Sequence, residues 1–311
     1  MRKVFAMKAV RIHAYGHADQ MKIEEMPRPA IRSDEALVRI RAAGVNPVDW
    51  KIREGYLKDV LRASFPLTLG QDFAGDILEV GKDIRDFKGG DRVFGFASGT
   101  YAEFATLSDK DLVRMPASTD YAAAASLPTA GLTAYQLIFD VVKAAKDLRI
   151  LIHGAAGGVG SFATQLARSR QARVFATASA LDVPYLISLG AEQVIDYRAE
   201  RCEQKLKDMD AVVDLIGGET LARSYQVLKS GGILVSTVAK PDEAEIGKRS
   251  LHGHSFLMRR DPSHLAELAA LVDGGVVKPK VGQILSLSEA PKAHELSEKG
   301  KARGKIVLKV A

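Results

Sequence analysis

A glycine-rich turn between an apolar strand and a helical segment is the feature that most constrains this chain. The apolar run Ile150–Ile152 is typical of a buried parallel strand, and Gly154-Ala155-Ala156-Gly157-Gly158-Val159-Gly160 follows it. A helical pattern then continues from Ser161 to Ala167. Strand, glycine turn and helix in this order form the setting that a dinucleotide-binding loop requires.

The glycines of the turn have different predicted roles. Without a Cβ atom, Gly157 and Gly158 let a pyrophosphate approach the backbone, and Gly160 lets the helix pack close to the strand. The free N–H groups at the helix start, including that of Val159, point toward the phosphates. Ala155 replaces the first glycine of the usual G-x-G-x-x-G pattern, a small departure, and the turn therefore predicts a bound dinucleotide.

Composition limits the class of protein. A chain of 311 residues suggests about two domains, and 47% hydrophobic with 26% charged residues is typical of a globular protein with a large core. The net charge of +6 is spread among acidic residues without a basic run, which argues against nucleic-acid binding. No apolar run is long enough to span a bilayer, so we expect no membrane association. The start of the chain lacks a secretory pattern and Cys202 is the single cysteine, so we expect a cytoplasmic protein.

The pattern of elements changes along the chain. Residues 1–122 contain short strand patterns separated by glycine, which suggests a small barrel, and residues 123–262 alternate strands with helices, which predicts a doubly wound parallel sheet. Residues 263–311 end in the alternating segment Lys305–Val310, which we expect to return to the first domain. The predicted strands of the sheet are Ile150–Ile152, Arg173–Ala178, Gln193–Asp196, Ala211–Leu215 and Gly232–Ser236. Thr129–Lys146 is predicted to be a helix-rich segment, and the predicted helices are Val183–Leu189, Leu221–Leu228 and Pro262–Val272.

Several motifs together carry a family resemblance. They are Ala43-Gly44-Val45-Asn46-Pro47-Val48-Asp49-Trp50, Gly70-Gln71-Asp72-Phe73-Ala74-Gly75, Leu127-Pro128-Thr129-Ala130-Gly131-Leu132-Thr133-Ala134, the glycine turn and Gly304-Lys305-Ile306-Val307. In this combination the chain resembles the medium-chain dehydrogenase/reductase superfamily over nearly its whole length, and within it the zinc-free quinone oxidoreductase and alkenal reductase branch. The resemblance implies an α/β protein with a GroES-like β-barrel domain plus a Rossmann doubly wound parallel sheet.

The resemblance also bears on metal chemistry. Zinc members of the superfamily have a Cys where this chain has Asn46 and a His-Glu pair where it has Gln71 and Asp72. Structural and catalytic zinc sites rely on thiolate and imidazole ligands, so we expect no metal. Without a Lewis acid to stabilise an alkoxide, reduction of an electrophilic quinone or α,β-unsaturated carbonyl is the easier chemistry.

Residues after the second predicted strand bear on the choice of cofactor. NAD-specific sites usually place a carboxylate there, whereas this chain has Ser179, which can donate a hydrogen bond to a 2′-phosphate. The resemblance adds Tyr197 beside the adenosine phosphate, although an ordinary surface tyrosine is the alternative. Asp182 stands where some relatives have a lysine, and Arg198 could compensate for it. We expect NADPH.

The other expected site residues are implied by the resemblance. Asn46 is expected near the nicotinamide or the acceptor, with a turn-forming Asn before Pro47 as the alternative, and Asp49 is expected to fix this loop. The remaining expected contacts of the cofactor are Thr129 near the ribose, Leu215 with Ile216 and Gly217 at the adenosine side, Val238 and Ala239 beside the nicotinamide, and Lys305 with Gly304 over the phosphates. For Lys305 the alternative is a solvated strand lysine.

No side chain stands out in the sequence as the proton donor. Asp72 is a candidate by position, but an ionised Asp cannot donate, and water is the default donor. Tyr56 and Trp50 either shape the acceptor site or pack in the barrel, and His153 is expected to be structural.

Two other functions and an assembly follow from the same residues. A 2-enoyl thioester reductase would share the hydride step but would need a groove for pantetheine and a Tyr acid near Asn46, where Trp50 and Lys51 stand. A protein that binds NADPH as a redox sensor without turnover is the other alternative. We expect a homodimer that pairs through the edge of the parallel sheet, with Gly232–Ser236 and Phe256-Leu257-Met258 as candidates for this pairing.

Overall fold

The computed structural model describes residues 6–300 and 302–310 of the chain, so the expectation of no secretory pattern falls partly outside the described residues. The chain divides into two compact units. Unit 1 contains Met1–Thr129, Arg260–Gly274 and Pro279–Ala311, and unit 2 contains Ala130–Arg259 and Gly275–Lys278. Unit 1 is thus assembled from both ends of the chain. The sequence-based boundaries follow residues 122 and 262, whereas the unit boundaries follow Thr129 and Arg259.

Unit 1 consists mainly of antiparallel strands. Its strands are β1 (Ala6–Ile12), β2 (Lys22–Pro27), β3 (Glu35–Val45), β4 (Leu67–Thr68), β5 (Asp72–Val80), β6 (Arg92–Phe96), β7 (Phe104–Ser108), β8 (Val113–Arg114), β15 (Val281–Ser286) and β16 (Lys305–Lys309). One sheet has the order β2-β1-β4, and a seven-stranded sheet has the order β15-β16-β3-β5-β6-β8 with β7 also paired to β3. Its helices are α1 (Pro47–Glu54), α2 (Tyr121–Ala125), α9 (Pro262–Asp273) and α10 (Ala290–Glu298).

The core of unit 1 comes from the buried faces of these strands. Val38 and Ile40 of β3, Phe73 and Ile77 of β5 and Leu308 of β16 belong to one hydrophobic cluster. The C-terminal strand lies in the same sheet as β3, because β16 pairs antiparallel with β3 and aligns Ile306 with Val45. This pairing brings the end of the chain to the start of the Asn46 loop.

Unit 2 contains a six-stranded parallel sheet. Its strands are β9 (Arg149–His153), β10 (Arg173–Ala178), β11 (Gln193–Asp196), β12 (Met209–Asp214), β13 (Leu228–Ser236) and β14 (His252–Ser255). The order β11-β10-β9-β12-β13-β14 reverses direction between β9 and β12, which is the doubly wound order of a dinucleotide-binding sheet. The predicted doubly wound parallel sheet is confirmed.

The helices of unit 2 connect its strands. They are α3 (Pro128–Gln136, which starts at the end of unit 1), α4 (Gly158–Ser169), α5 (Val183–Ser188), α6 (Cys202–Lys205), α7 (Gly218–Ser224) and α8 (Glu243–Lys248). A π-helical turn, Leu137–Val141, follows α3. Single 3-10 turns span Ala18–Gln20, Asp109–Asp111, Ala180–Asp182 and Leu287–Glu289. No helix in the described part of the chain is both long enough and apolar enough to cross a bilayer.

One predicted helix had the wrong ends. The helix expected over Leu221–Leu228 spans Gly218–Ser224 instead, because Leu228 begins β13 and pairs with Met209. In the segment predicted to be helix-rich, Thr129–Lys146, helical structure ends with the π-helical turn, and Lys143 adopts a left-handed backbone with φ of 53°. In both places the competing backbone conformation is not encoded in the apolar pattern.

The expected edge of the parallel sheet was also wrong. Gly232–Ser236 lies in β13, and β14 pairs with it in parallel from Ile233↔His252 to Ser236↔Ser255. All four residues of β14 are exposed, so this strand has no apolar pattern from which it could be predicted. The edge position belongs to β14.

We predict that Gly160→Ala destabilises the protein by about 2 kcal/mol or more, because a Cβ atom would meet packed backbone that cannot move easily. This Cβ would lie 2.4 Å from the Gly154 carbonyl oxygen and 2.5 Å from Ala155 Cα. Gly247→Ala is the matched control, since nothing lies within 4 Å of its added Cβ. Urea unfolding measures both variants, and equal stabilities would contradict the packing role of Gly160.

Candidate functional site

The glycine turn leads directly into α4. Gly157 is the N-cap residue, and the N–H of Ser161 donates to its carbonyl oxygen at 3.0 Å. Gly157 is exposed and Gly158 and Val159 are half-buried, so the start of α4 is accessible to a ligand. The first N–H groups of a helix have no acceptor within it, and here they follow the strand next to the reversal point of the sheet. This cradle fits a pyrophosphate.

The end of β10 carries the groups expected at the adenosine end of a cofactor. The Ser179 hydroxyl donates to Asp182 Oδ2 at 2.6 Å, so its proton already has an acceptor. The Tyr197 N–H donates to the Ala178 carbonyl at 3.2 Å, which places Tyr197 beside the end of β10. The Arg198 guanidinium lies 5.6 Å from the centre of the Tyr197 ring. A carboxylate and a guanidinium therefore both lie near this strand end.

A buried carboxylate that the sequence analysis did not single out organises the ends of β12 and β13. Asp214 Oδ1 accepts the N–H groups of Ile216 and Gly217 at 3.1 and 3.0 Å, and Asp214 Oδ2 accepts the Ser236 hydroxyl at 2.7 Å. Ser236 Oγ in turn lies 3.3 Å from the N–H groups of Val238 and Ala239. This pair fixes both loops that carry the expected cofactor contacts.

The position of Asp214 in the sequence could have identified it as a residue that fixes these loops. It ends an apolar strand and stands just before Gly217-Gly218, where a strand ends and a new helix starts. Leu215 beside it is half-buried, and Val238 is exposed. The turn residues Leu215, Val238 and Ala239 are thus held at the carboxyl ends of neighbouring strands, where ligands of doubly wound sheets bind.

His153 lies inside the same sheet. Its Nδ1 pairs with Thr177 Oγ1 at 3.0 Å, and its Nε2 has no hydrogen-bond partner among the described residues. Burial lowers the pKa of His153 to about 4, although the nearby Asp214 acts in the opposite direction. The imidazole is therefore neutral at pH 7, which agrees with the structural role expected for it.

In unit 1, the loop after β3 is held by a buried cluster that we call the Asn46 cluster: Asn46, Asp49, Asp72, Thr129 and Lys305. The backbone N–H of Asn46 donates to Asp49 Oδ2 at 2.8 Å, which confirms that Asp49 fixes the loop. Lys305 Nζ donates to Asn46 Oδ1 at 2.5 Å and to the Val45 carbonyl at 3.0 Å. Asn46, Asp49, Asp72 and Lys305 are all buried.

Asp72 links this cluster to the first turn of α3. Its Oδ1 accepts the Thr129 hydroxyl at 2.6 Å, and its Oδ2 accepts the Thr129 N–H at 3.0 Å. A carboxylate at a helix N-terminus is stabilised by the helix dipole. Asn46, Asp72 and Thr129, which are separated widely along the chain, are thereby brought together with Lys305.

Burial dominates the electrostatics of the Asn46 cluster. It raises the pKa of Asp49 to about 7 and also raises the pKa of Asp72, while the Lys305 ammonium lowers both. Burial lowers the pKa of Lys305, and Asp72 and Asp49 raise it. The Asn46 amide adds to the stabilisation of ionised Asp72, although Nδ2 forms no hydrogen bond of ordinary geometry among the described residues. The carboxyls and the ammonium thus favour each other's charged forms, while burial shifts all three pKa values toward the neutral forms.

Lys305 is not the solvated strand lysine that the sequence also allowed. Lys305 is 5% exposed, and its ammonium donates to the Asn46 loop. Its expected contact with the cofactor phosphates stays a prediction, and the described partners give it a second role in holding Asn46.

The aromatic residues after the Asn46 loop form a small group. Trp50 and Tyr56 make an edge-to-face contact with ring centres 5.9 Å apart, and Lys51 Nζ lies 5.7 Å from the Trp50 ring. Tyr56 is 69% exposed, whereas Trp50 Nε1 is buried and has no partner among the described residues. Tyr56 therefore does not pack in the core of the barrel, and its role at the acceptor stays a prediction.

Two family descriptions match the chain. Residues 32–117 match an alcohol dehydrogenase GroES-like domain, and residues 189–308 match a zinc-binding dehydrogenase. The human mitochondrial NAD(P)H oxidoreductase RTN4IP1 is 33% identical to this chain, over 98% of this chain and 89% of its own length.

Solved structures agree with these matches. The quinone oxidoreductase from Coxiella burnetii is 34% identical, with a TM-score of 0.90 over 99% of this chain and all of its own. The Escherichia coli quinone oxidoreductase complexed with NADPH is 28% identical, with a TM-score of 0.88 over 97% of this chain and 99% of its own. The CurK enoyl reductase is 26% identical, with a TM-score of 0.90 over 98% and 99%. The chain therefore belongs to the medium-chain dehydrogenase/reductase superfamily, in its quinone oxidoreductase branch.

Proposed function

We propose that this protein is an NADPH-dependent oxidoreductase that reduces a quinone or an α,β-unsaturated carbonyl compound without a metal. The observation that carries the proposal is the Asn46 cluster, in which Asn46 and Asp72 stand where the resemblance puts zinc ligands and are engaged instead by Lys305 and Thr129. The relatives and neighbours named as quinone oxidoreductases support the same chemistry.

The zinc implied by one family description does not fit these residues. Asn46 and Gln71 offer amides, and Asp72 is already engaged by Thr129, whereas zinc sites rely on thiolate, imidazole and free carboxylate ligands. Within residues 6–300 and 302–310, no three His, Cys, Asp or Glu side chains form a group that could hold a metal ion. The donor chemistry of the site therefore favours a reaction that needs no Lewis acid.

The residues of unit 2 fit a dinucleotide. The N–H groups of Gly158 and Val159 would hold the pyrophosphate, and the loops fixed by Asp214 and Ser236 would present Leu215, Val238 and Ala239 to the cofactor. The tight approach at Gly160 keeps the start of α4 against the turn. When bound, NADPH supplies the hydride.

The choice of NADPH rests on charges near the end of β10. Arg198 over Tyr197 can pair with a 2′-phosphate, and a guanidinium suits phosphate well because its donors form a planar fork. Asp182 opposes this choice, but its Oδ2 is occupied by the Ser179 hydroxyl. The neighbouring structure that contains NADPH supports the same choice.

The acceptor needs orientation and a proton. Asn46 would orient the acceptor or the nicotinamide, Thr129 would lie near the ribose, and Tyr56 would shape the acceptor site from an exposed position. Asp72 accepts two hydrogen bonds and has the Lys305 charge nearby, so it holds the site instead of protonating the product. Water then gives the proton to the enolate or quinol oxygen.

Two alternatives remain distinguishable. The similarity to CurK favours a 2-enoyl thioester reductase as a second candidate, but such an enzyme would need a tyrosine acid near Asn46. The Tyr101 hydroxyl is unsuited to that task, because it is buried and donates to Asp49 Oδ2 at 3.0 Å. A redox sensor would bind NADPH and show no turnover.

A homodimer and a cytoplasmic location stay predictions. The edge strand β14 and the following Leu257, which is 88% exposed, offer a surface for pairing with a second copy. The expected location is not supported by the relative named as mitochondrial.

We predict that the purified protein consumes NADPH at roughly 1 per second or faster with 1,2-naphthoquinone or 9,10-phenanthrenequinone, and also acts on short alkenals. Turnover should persist after treatment with 1,10-phenanthroline, because no step uses a metal. Absorbance at the NADPH band measures turnover before and after treatment with the chelator. A preference for crotonyl thioesters would favour the enoyl reductase, binding of NADPH without turnover would favour the sensor, and loss of turnover with bound zinc would contradict the proposal.

We predict that Arg198→Ala weakens NADPH binding by roughly 10- to 100-fold and leaves NADH binding nearly unchanged, because a charge-assisted hydrogen bond to phosphate is lost. Arg170→Ala is the matched control, since Arg170 also lies over an aromatic ring, that of Phe139, at 4.7 Å. Fluorescence titration with both nucleotides measures the difference. An equal loss of affinity for the two nucleotides would remove Arg198 from the 2′-phosphate site.

A further inference from the structure

A buried line of hydrogen bonds reaches the Asn46 cluster from the far side of α1. We call Arg53, His294, Tyr101 and Asp49 the Arg53 chain. Arg53 Nη1 lies 3.3 Å from His294 Nδ1, His294 Nε2 lies 3.3 Å from the Tyr101 hydroxyl, and that hydroxyl lies 3.0 Å from Asp49 Oδ2. All four residues are buried, and the Arg53 chain joins segments that are far apart in the sequence.

The identity of the first residue fixes the direction of every bond. An arginine only donates, so His294 Nδ1 must accept and His294 Nε2 must carry the proton. Nε2–H then donates to the Tyr101 oxygen, and the Tyr101 hydroxyl is left to donate to Asp49 Oδ2. Burial and the Arg53 charge lower the pKa of His294 to about 3, so the imidazole stays neutral and this tautomer persists at pH 7.

Arg53 is itself firmly held. Its Nε donates to the Gly16 carbonyl at 3.0 Å, and its Nη2 donates to Glu298 Oε1 at 2.6 Å and to Glu54. Because Arg53 does not lose its proton, the Arg53 chain cannot carry protons in from solvent. Its effect is geometric and electrostatic, because it orients the Tyr101 hydroxyl to donate to Asp49 Oδ2.

Asp49 and Arg53 lie four residues apart on α1, a spacing that usually allows a direct ion pair. Here the side chains of Tyr101 and His294 connect them instead, with the two rings 5.7 Å apart in an edge-to-face contact. Asp49 Oδ2 consequently accepts from both Tyr101 and the Asn46 N–H, while Oδ1 has no partner among the described residues. Tyr101 and Asn46 thus converge on one oxygen.

We propose that Arg53, His294 and Tyr101 are positioning residues that act through Asp49 to hold Asn46 in place for hydride transfer. The inference rests on the proposed function in one respect, because it takes Asn46 as the residue that meets the nicotinamide or the acceptor. The charged groups that act on Asp49 are Asp72, which disfavours its ionised form, and Lys305, which favours it together with the Tyr101 hydroxyl and the Asn46 N–H.

The experiment measures the protonation of Asp49 and the rate of hydride transfer in the same variants of the full chain. Protein labelled with ¹³C at Asp carboxyls is titrated by NMR, with Asp49→Asn used to assign the signal. Tyr101→Phe and His294→Leu each remove hydrogen bonds of the Arg53 chain, and His294→Gln retains a donor toward Tyr101. Tyr121→Phe is the matched control, because Tyr121 donates to another carboxylate of unit 1, Asp76 Oδ1, at 2.5 Å.

Loss of the Tyr101 donor should raise the midpoint of Asp49 from about 7 by about one pH unit in Tyr101→Phe. His294→Leu should shift it in the same direction, His294→Gln should restore most of the wild-type value, and Tyr121→Phe should leave it unchanged. The kcat for quinone reduction should fall about tenfold in Tyr101→Phe, with KM for NADPH little changed.

An unchanged Asp49 midpoint in Tyr101→Phe would overturn the inference. A shifted Asp49 midpoint with an unchanged kcat would also overturn the inference, since the Arg53 chain would then have a structural role only. If the wild-type protein reduces no quinone or enone, the proposed function fails, whereas the titration still reports on the line itself. His294→Leu and His294→Gln provide the same comparison if Tyr101→Phe does not fold.

Discussion

The burial of the Lys305 ammonium is the constraint on which the architecture of unit 1 depends. An uncompensated charge in a protein interior is strongly unfavourable, so the chain must bring acceptors and opposite charges to it. The Val45 carbonyl and Asn46 Oδ1 accept hydrogen bonds from it, and Asp72 and Asp49 supply negative charge that favours the ammonium form. Lys305 begins β16, which pairs with β3, and its hydrogen bonds hold the loop that follows β3.

In unit 2, hydrogen bonds hold the loops at the ends of neighbouring strands. Asp214 accepts two backbone N–H groups and the Ser236 hydroxyl, so a single buried carboxylate holds the ends of two neighbouring strands. His153 stays neutral beside it because burial lowers its pKa. In both units, buried polar groups fix the loops that carry the expected ligand contacts.

The parts of the fold that the sequence predicted are those with local patterns. The apolar runs at Arg173–Ala178 and Gln193–Asp196 match β10 and β11, because each pattern lies within one element. β14 was not predicted, because its residues are all exposed and form no apolar pattern. The Lys305–Asn46 contact spans 259 positions in the chain, and no periodicity reports such a pairing. Motifs could name Asn46, Asp72 and Lys305 as site residues, but only the fold shows that they hold one another.

A double-mutant cycle on Lys305 and Asp72 tests the central claim most directly. The free energies of unfolding of Lys305→Met, Asp72→Asn and the double variant are measured by urea denaturation. If each buried charge needs the other, each single variant should lose about 3 kcal/mol or more, and the double variant should lose about 2 kcal/mol less than the sum. Losses that add to within about 0.5 kcal/mol would show that the two charges are independent and would contradict the account.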